Sequence, residues 1–393
     1  MNKAIILVIK NDRSGPLKGF HPWVFSRAIK EIPEGLSPGQ PVKLYDENNR
    51  FLAHGYFNSY SQIAVRIWGY DEQENIDEAF FKKRIEMAYR LRKRYIEGNK
   101  TNAFRLLNGE NDLMPGLIVD NYDKYIVVQF HTRGIEAWKD MIISSIREVM
   151  EPIGIYERSD MTIRETEGIS KRSGLLWGNI PDKIEIKENG FRFLVDVKHG
   201  QKTGFFLDQR DKRNAFMKYV KDAVVLNCFS YTGGFSVYAL AGGANFIENV
   251  DTSHEALEMA KENIRLNGFN IDKCRFIKMD VKEFLKDSRL KYDSIVLDPP
   301  AFIKDRTKMK EGKIGYRKIN ESAMEHINEH GVLLTCSCSA HLGMDDFRYL
   351  LSQAAGGAKK NFKIIETFTH GIDHPQLLPF TEGSYLKCFI LCF

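Results

Sequence analysis

One stretch, residues 224–251, leaves few choices for the fold of this chain. It begins with the apolar run 224–226, which has the length and the β-branched content of a buried parallel strand. A turn with two adjacent glycines follows, then apolar residues at helical spacing, then a second apolar run that ends at Asp251. The pattern predicts a βαβ unit with a glycine turn after its first strand and an acid after its second.

The glycine turn indicates what kind of ligand such a unit would bind. A glycine turn lets the backbone approach a ligand closely, and Asp251 is placed to accept hydrogen bonds from ribose hydroxyls. The turn has only Gly233 and Gly234, so the G-x-G-x-x-G fingerprint of pyrophosphate-binding sites is absent, which disfavours a nicotinamide oxidoreductase. A nucleoside ligand without phosphates, such as S-adenosylmethionine, fits better. The alternative, that the glycines only close a tight turn, stays open.

From residue 183 onwards strand and helix alternate, which predicts a doubly wound α/β sheet. Predicted strands 275–279, 294–297 and 332–335 lead directly into Asp280, Asp298 and the segment 336–339. The ligand crevice of an open α/β sheet lies at these carboxyl ends. Asp280 is placed to meet an adenine edge, although each acid could instead cap a helix.

Two further patterns surround these strands. Thr252-x-x-Glu255 is a candidate capping box for a helix over 253–267, which Gly268 would end. The last apolar runs, 362–369 and 385–393, predict an antiparallel edge strand.

The segment Asp298-Pro299-Pro300-Ala301-Phe302 is the most specific of the strand ends. Two prolines make the loop rigid and hold the preceding residue extended. Such a loop can hold a carboxylate and main-chain carbonyls against the polar edge of a planar base, with Phe302 available for stacking. We therefore predict that Pro299, Pro300 and Phe302 contact the substrate; the alternative is a simple strand-terminating turn.

Cys338 is the candidate nucleophile. A thiolate can add to carbon 6 of a pyrimidine, which makes carbon 5 reactive enough to attack a methyl sulfonium. Buried inert cysteines are common, so a structural role is the alternative. None of the six cysteines forms C-x-x-C, so no zinc site is expected, and reduced thiols fit a cytoplasmic protein. No apolar run approaches the length of a membrane span, so no membrane partner is expected.

The first half of the chain has a different character. Short β-like runs at 4–9, 41–45, 51–57 and 62–68 predict a small β-barrel-like domain. The aromatic segment 19–25 is interpreted as core, with base stacking as the alternative. A predicted helix over 77–97 presents one apolar face, consisting of Phe81, Ile85, Ala88, Leu91 and Tyr95. Residues 104–164 predict a small α+β domain with a strand at 155–163, and the polar, glycine-rich residues 165–179 look like a boundary.

Charge is concentrated at the N-terminal end. Residues 1–100 carry 17 Lys+Arg against 12 Asp+Glu, a net +5, which equals the net charge of the whole chain. This positive charge could bind the phosphate backbone of a nucleic acid. The alternative is that the basic residues only form the solvated face of a helix. A second run, residues 304–318 with seven basic residues, looks flexible and able to cover a substrate.

Together these motifs resemble the family of three-domain ribosomal RNA methyltransferases that make 5-methylcytosine in large-subunit RNA. The resemblance covers essentially the whole chain. It rests on His21-Pro22-Trp23-Val24-Phe25-Ser26, Ser61-Gln62-Ile63, Glu157-Arg158-Ser159-Asp160, the segments 199–210 and 227–235, Asp298-Pro299-Pro300-Ala301-Phe302 and Ser337-Cys338-Ser339. Ala301 stands where the family often has lysine, and Cys336 where it usually has an apolar residue.

The resemblance implies an N-terminal PUA-like RNA-binding β-barrel over 1–75, a middle α+β domain over 76–182 and a class I, Rossmann-like methyltransferase domain over 183–393. It implies S-adenosylmethionine as cofactor, large-subunit (23S) ribosomal RNA as partner, and Cys338 and Asp298 as catalytic residues. The cofactor-binding residues predicted from these motifs are Thr203, Phe206, Asp208, Arg210, Asn227, Phe229, Tyr231, Thr232, Gly233, Asp251, Thr252, Ser253, Asp280, Val281 and Asp298.

Two other functions remain open from the sequence. Similar chains with Asp-Pro-Pro-aromatic turns methylate exocyclic amines of guanine or adenine and need no cysteine. A catalytically inactive RNA-binding assembly factor is disfavoured by the intact Asp251, Asp280, Asp298 and Cys338. A homodimer is compatible with the sequence, which does not give the oligomeric state.

Overall fold

The computed structural model describes residues 5–393, which form two compact units. The first unit consists of the chain up to Ile186 together with Val195–Leu207 and Ile372–Gly383. The second consists of Lys187–Leu194, Asp208–Gly371 and Ser384–Phe393. The division into three domains at residues 75/76 and 182/183 stays a prediction.

The first unit begins with a five-stranded sheet. Its strands are β1 (Ile5–Ile9), β2 (Trp23–Phe25), β3 (Pro41–Asp46), β4 (Phe51–Phe57) and β5 (Ile63–Gly69), and the short helix α1 (Gly15–Lys18) precedes β2. The order is β1-β3-β4-β5-β2, with β1 parallel to β3 and the other pairs antiparallel. The four predicted runs match β1, β3, β4 and β5, except that Ala4 lies outside the described residues.

The aromatic segment before and within β2 is only partly core. Val24 is buried, whereas Phe20 and Phe25 are exposed at 57% and 48%. The interpretation of this segment as core is therefore wrong for these two rings. Strand β2 has only three residues, too few for alternation to show which side chains face inward.

Helix α2 (Glu78–Tyr95) follows, and Asp77 caps it by accepting a hydrogen bond from the Phe80 amide at 3.0 Å. The predicted apolar face is wrong at its last turn, where Leu91 and Tyr95 are exposed. Arg92 is buried there instead, because its guanidinium pairs with both carboxylate oxygens of Asp112 at 2.7 Å.

The second sheet of this unit has the order β10-β9-β8-β7-β6. Its elements are β6 (Ala103–Asn108), β7 (Leu117–Tyr122), β8 (Tyr125–Phe130), α3 (Arg133–Ala137), α4 (Lys139–Met150), β9 (Gly154–Ser159), α5 (Ile163–Thr166) and β10 (Arg172–Gly178). The predicted strand 155–163 ends at Ser159. The predicted boundary 165–179 is wrong in part, because it contains β10, the edge strand of this sheet. An edge strand can be rich in polar and glycine residues, which makes its sequence similar to that of a linker.

Strands β11 (Ile184–Glu188) and β12 (Phe191–Val195) form a two-stranded sheet, and α6 (Arg210–Phe216) opens the main part of the second unit. The remaining elements are β13 (Val224–Cys228), α7 (Gly234–Ala241), β14 (Phe246–Asp251), α8 (His254–Leu266), β15 (Cys274–Lys278), α9 (Val281–Asp287), β16 (Tyr292–Leu297), α10 (Met309–Glu325), β17 (Ile327–Ser337), α11 (Met344–Gly357), β18 (Lys363–Phe368) and β19 (Lys387–Cys392).

Strands β13 to β19 form one sheet in the order β15-β14-β13-β16-β17-β19-β18. Strands β13 to β17 are parallel, and β19 runs antiparallel between β17 and β18. The order reverses between β13 and β16, so the carboxyl ends of β13, β14, β16 and β17 border the switch point where open α/β sheets bind ligands. Helices α9, α10 and α11 share one core cluster with the sheet.

Two sequence predictions about helices in this unit are corrected. The basic run 304–318 is not flexible throughout, because from Met309 it is α10, which buries Tyr316 and Ile319. Helix α8 is capped by Ser253 rather than Thr252, since Ser253 Oγ accepts from the Ala256 amide at 3.1 Å. Among the helices of residues 5–393, none combines the length and the apolar character that a bilayer crossing requires.

Candidate active site

The turn between β13 and α7 is strained in the way ligand-binding turns often are. Phe229 and Tyr231 adopt left-handed backbone conformations, with φ of 58° and 46°, and Gly233 follows at 76°. A Cβ on Gly233 would stand 2.8 Å from Ala260 Cβ, so glycine is required for packing as well as for φ. The turn is held by a hydrogen bond from the Ser230 amide to the Val250 carbonyl at 3.1 Å.

Asp251 ties this turn to the end of β14. Its Oδ2 accepts from the Tyr231 amide at 2.8 Å, and its Oδ1 accepts from the Ser253 amide at 2.9 Å. A carboxylate offers about four lone-pair sites, so these two bonds leave capacity for a ligand's hydroxyl groups. The residue is 9% exposed. The predicted ribose contact therefore stays a prediction, but Asp251 also has a structural role in organising the turn.

Four buried polar atoms of the second unit, three of them in β13 or the turn after it and one on the residue that contacts Asp298, have no hydrogen-bond partner among residues 5–393. They are Gln209 Oε1, Asn227 Oδ1, Ser230 Oγ and Thr232 Oγ1. Buried polar groups are nearly always paired, so a group of them beside a strand-end crevice is typical of a site that a polar ligand completes. Asn227 and Thr232 are among the predicted cofactor residues, and these donors and acceptors suit the amino, carboxylate and hydroxyl groups of S-adenosylmethionine.

Three predicted cofactor residues that follow β14 and β15 have different surroundings from one another. Asp280 is exposed and caps α9, with Oδ1 accepting from the Lys282 amide at 2.8 Å. Val281 is buried in the core cluster beneath it, and Thr252 is exposed. The helix-cap alternative for Asp280 is thus realised, and its contact with adenine stays a prediction.

The predicted cofactor segment 203–210 falls into both units. In the first unit, the Thr203 hydroxyl donates to Asp120 Oδ2 at 2.6 Å and lies 2.9 Å from the Tyr122 hydroxyl, while Phe206 is half-buried. In the second unit, the Tyr385 hydroxyl donates to Asp208 Oδ2 at 2.7 Å. Arg210, also in the second unit, is buried. Their roles in cofactor binding stay predictions.

Asp298, directly after β16, is an unusual carboxyl group. Its Oδ2 accepts from Gln209 Nε2 at 2.9 Å. Burial raises the pKa of Asp298 to about 7, and the nearby Asp208 carboxylate adds to the rise. A carboxyl poised near neutral pH can donate a proton as well as accept one, which a surface aspartate cannot do at pH 7.

The loop after Asp298 approaches Cys338. The Cys338 thiol lies 3.8 Å from the carbonyl oxygen of Pro299 and is half-buried directly after the end of β17. Pro299 is buried, Pro300 is exposed, and the Phe302 ring packs against Tyr316 with centroids 4.7 Å apart. The sequence-predicted residues of this loop and the candidate nucleophile are therefore neighbours.

Cys336 is a different kind of cysteine. It is fully buried and lies directly opposite Cys388 of β19. The pKa of Cys336 is raised well above its usual value, mainly because the thiol is buried. The Cys388 thiol and Asp298 raise this pKa further. Such a thiol is unreactive, which favours Cys338 as the nucleophile.

Gln209, Tyr385 and Lys387 belong to this neighbourhood but were not predicted from the sequence as site residues. Gln209 lies between two predicted cofactor residues, a signal that could have identified it. Tyr385 and Lys387 belong to the C-terminal strand segment, where the lysine interrupts an otherwise apolar run. Among residues 5–393, no group of three or more His, Cys, Asp or Glu side chains is arranged to hold a metal ion.

Comparison with known proteins identifies the family. Residues 170–387 match the model of the S-adenosylmethionine-dependent methyltransferase family, and residues 7–69 match that of a PUA-like domain. The protein named ribosomal RNA large subunit methyltransferase I from Tolumonas auensis is 41% identical over 388 residues, 98% of both chains. Its namesake from Alteromonas mediterranea is 40% identical over 390 residues, again 98% of both chains.

The chain belongs to the ribosomal RNA large subunit methyltransferase I family. This confirms the resemblance found in the sequence, and with it the class I methyltransferase fold and the PUA-like domain. A methyltransferase solved in complex with SAH is 25% identical, with a TM-score of 0.86 over 99% of this chain and 100% of that chain. SAH is what remains of S-adenosylmethionine after methyl transfer. S-adenosylmethionine is therefore the cofactor of this family member, as predicted.

Proposed function

We propose that this family member methylates carbon 5 of a cytosine in large-subunit ribosomal RNA through a covalent adduct with Cys338. The names of its relatives support the RNA substrate. The choice of base is carried by one observation, the placement of a half-buried cysteine 3.8 Å from the Pro299 carbonyl in the loop that begins with Asp298. Methylation of an exocyclic amine would need no thiol at this position.

Carbon 5 of cytosine carries too little electron density to attack a methyl group unaided. In the proposed mechanism the Cys338 thiolate forms a bond to carbon 6, and the electron pair of the carbon 5–carbon 6 double bond moves through the ring toward nitrogen 3. S-adenosylmethionine, when bound, supplies an electrophilic methyl group. Loss of the proton from carbon 5 and departure of the thiolate then restore the double bond.

Asp298 is proposed to control charge on the base. With a pKa of about 7, a large fraction of Asp298 is protonated at neutral pH. The protonated carboxyl can donate to nitrogen 3 as negative charge develops there, and its second oxygen can accept from the exocyclic amine. The Gln209 amide, 2.9 Å from Oδ2, fixes the carboxyl in one orientation.

The target base must leave its stack to reach both groups, so the substrate is a single-stranded or flipped nucleotide. Pro300 is exposed and Phe302 is partly so. We propose that these residues, with Pro299, form one wall of the base pocket. Phe302 already packs against Tyr316, so its ring is fixed before the base arrives.

The first unit is proposed to dock RNA. The last turns of α2 expose Arg90, Lys93 and Arg94 together with Leu91 and Tyr95. Cations beside an exposed aromatic ring are the combination that binds phosphates and stacks on bases. This role would account for the exposure of Leu91 and Tyr95, the part of the predicted apolar face that is not buried.

Replacing the thiol tests the proposal. Cys338→Ala should form no 5-methylcytidine in large-subunit RNA while still binding S-adenosylmethionine. Cys274→Ala is the matched control, because Cys274 is also half-buried but lies on β15. RNA carrying 5-fluorocytosine should form a covalent complex with the wild type, since fluorine at carbon 5 cannot leave as a proton does. Nucleoside mass spectrometry and denaturing gels give the two readouts.

Other outcomes would replace the proposal. If Cys338→Ala still methylates, or if the methyl group is found on an exocyclic nitrogen, amine methylation is the function. If the wild-type protein neither binds the cofactor nor modifies RNA, the assembly-factor function replaces both.

A further inference from the structure

Lys387 is a buried lysine at the active site with no role in the steps above. It begins β19, pairs in register with Ser337 of β17, and is 2% exposed. Its ammonium donates to the carbonyl of Ser339 at 2.6 Å and to the carbonyl of Tyr385 at 2.8 Å. Ser337 and Ser339 are the two residues that flank Cys338 in the chain.

We propose that Lys387 is a positioning residue that fixes the turn carrying Cys338 and stabilises the thiolate form of that cysteine. This rests on the proposed role of Cys338 as nucleophile and adds the group that prepares it for attack. The ammonium would act before RNA binds, as a fixed positive charge on the turn that carries the sulfur.

Burying a lysine is costly, so a lysine in this strand needs a physical reason. Ammonium groups are strongly hydrated, and the other residues of β19 are apolar or cysteine. Two main-chain carbonyls satisfy two of the three N–H donors of Lys387. A methionine of similar length would fill the space without this cost, which argues for a use of the charge itself.

The electrostatics link Lys387 to Cys338. Burial lowers the pKa of Lys387 to about 8, and the Cys338 side chain opposes that shift. Interaction between two titrating groups is reciprocal, so a thiolate that stabilises the ammonium is stabilised by it to the same extent. At pH 7 Lys387 is still mostly charged, and a cation near a cysteine is a common reason for enhanced thiol reactivity.

The other titratable groups around Cys338 are neutral or acidic, apart from Lys212. From α10, the Tyr316 hydroxyl lies 2.9 Å from Ser339 Oγ, and burial raises the pKa of Tyr316, so it is neutral. Cys336 and Cys388, which pair on β17 and β19, are thiols and carry no positive charge. Asp298 is an acid and carries none either. Lys212 of α6 interacts with Cys336 and Asp298, and its ammonium donates to the Asp208 carbonyl.

Alkylation of individual cysteines tests the proposal in the full-length protein. Iodoacetamide reacts with the thiolate, forming a carbon–sulfur bond as iodide leaves, so the rate against pH reports the thiol's titration. Mass spectrometry of the Cys338 peptide from pH 6 to 10 should give a wild-type midpoint below the ordinary thiol value of about 8.5. In Lys387→Met the midpoint should rise by about one pH unit or more, with about tenfold slower alkylation at pH 7.

Two variants separate charge from structure. Lys387→Arg keeps the charge and should keep the low midpoint. Lys360→Met is the matched control, because burial also lowers the pKa of Lys360 and its ammonium also donates to main-chain carbonyls, those of Glu325 and Ile327. Its midpoint for Cys338 should equal that of the wild type. Cys274 in the same samples reports any general loosening of the fold.

An equal midpoint in the wild type and Lys387→Met, with Cys274 unchanged, would overturn the proposal. Should Lys387→Met fail to fold, a wild-type midpoint at or above about 8.5 would overturn it equally. The alkylation assay measures the titration of the Cys338 thiol and does not measure methylation. A negative result would therefore contradict the role of Lys387 alone, whereas the role of Cys338 in methylation is tested by Cys338→Ala.

Discussion

At the residue scale, the site depends on side chains whose chemistry the fold has altered. Asp298 is the clearest case, because burial and the Asp208 carboxylate raise its pKa from the ordinary aspartate value of 3.8 to about 7. A carboxyl whose pKa is raised in the folded state costs stability as pH rises from about 4 to about 7, where the unfolded chain is ionised and the folded one resists ionisation. The raised pKa that suits the proposed catalytic role therefore destabilises the fold above about pH 4.

The variant Asp298→Asn tests whether the raised pKa of Asp298 lowers the stability of the fold. The amide oxygen still accepts from Gln209, but the variant has no charge to bury. A shift from 3.8 to about 7 corresponds to about 4 kcal/mol, so at pH 8 the unfolding free energy of the variant should exceed that of the wild type by about that amount. Below pH 4 the difference should vanish. Thermal unfolding at pH 4, 6 and 8 measures it, and a gap that does not change with pH would contradict the shifted titration. Methylation should be lost at every pH, because an amide cannot donate the proton.

Asp251 gives a second prediction at this scale. Asp251→Ala removes the acceptor of two main-chain amides, those of Tyr231 and Ser253, and the proposed acceptor of the ribose hydroxyls. S-adenosylmethionine binding should weaken by roughly 1–3 kcal/mol, the usual cost of leaving such partners unpaired. Calorimetry gives the affinity, with Asp77→Ala as the control because that acid also accepts from a main-chain amide, that of Phe80, but caps α2. Unchanged affinity in Asp251→Ala would remove Asp251 from the site.

At the scale of elements, the turn between β13 and α7 concentrates backbone strain where three strand ends meet. The left-handed residues there cost folding energy, and the fold keeps them by fastening the turn to β14 through Asp251 and Val250. The turn is thus shaped before a ligand arrives, which lowers the ordering cost of binding.

Gly233→Ala tests this element. The new methyl group would stand 2.8 Å from Ala260 Cβ at a φ of 76°, so α7 and α8 must separate or the turn must change shape. We expect the free energy of unfolding to fall by about 1–3 kcal/mol. We also expect the affinity for S-adenosylmethionine to fall further below the wild-type value than it does in the control variant. Gly268→Ala is the control, since Gly268 has φ of 74° but nothing within 4 Å of its added Cβ. Equal cofactor affinities in the two variants would show that the turn's shape does not matter for binding.

In the whole molecule, the chemistry is proposed to lie at the sheet of the second unit, while the first unit carries exposed positive charge. The excess of basic residues lies within residues 1–100, and the last turns of α2 expose several of them. Affinity for RNA and methyl transfer should therefore be separable by mutation.

Replacing Arg90, Lys93 and Arg94 together by glutamine should weaken binding of 23S ribosomal RNA and flatten its salt dependence. Each lost phosphate contact should reduce the slope of log affinity against log salt by roughly 0.7–0.9. Lys82→Gln is the control on the same helix, because Lys82 pairs with Glu148 at 2.6 Å. Binding titrations from 50 to 300 mM salt give the slope, and a triple variant with the wild-type slope would place RNA docking elsewhere. Affinity for S-adenosylmethionine should not change.

The sequence was enough to predict the elements of the methyltransferase unit and the edge of the sheet at which we propose that its chemistry lies. Parallel strands place their carboxyl ends together, so the positions of Asp251, Asp298 and Cys338 after apolar runs were enough to predict a shared crevice. The motifs around these residues also identified the family, because they are long and specific. These inferences are local in sequence, depending on strands of five or six residues and the loops that follow them.

The distant residues that contact this edge of the sheet could be identified only from the folded structure. Gln209 reaches Asp298, Tyr385 reaches Asp208, and Lys387 reaches the turn of Cys338, each from another part of the chain. Such contacts depend on strand order and on the position of β19 between β17 and β18, whereas the apolar runs predicted only an antiparallel strand at the edge of the sheet. Burial likewise decided that Arg92 and not Leu91 packs inside, and that Asp298 titrates near neutral pH, because desolvation is a property of the surroundings and not of the residue.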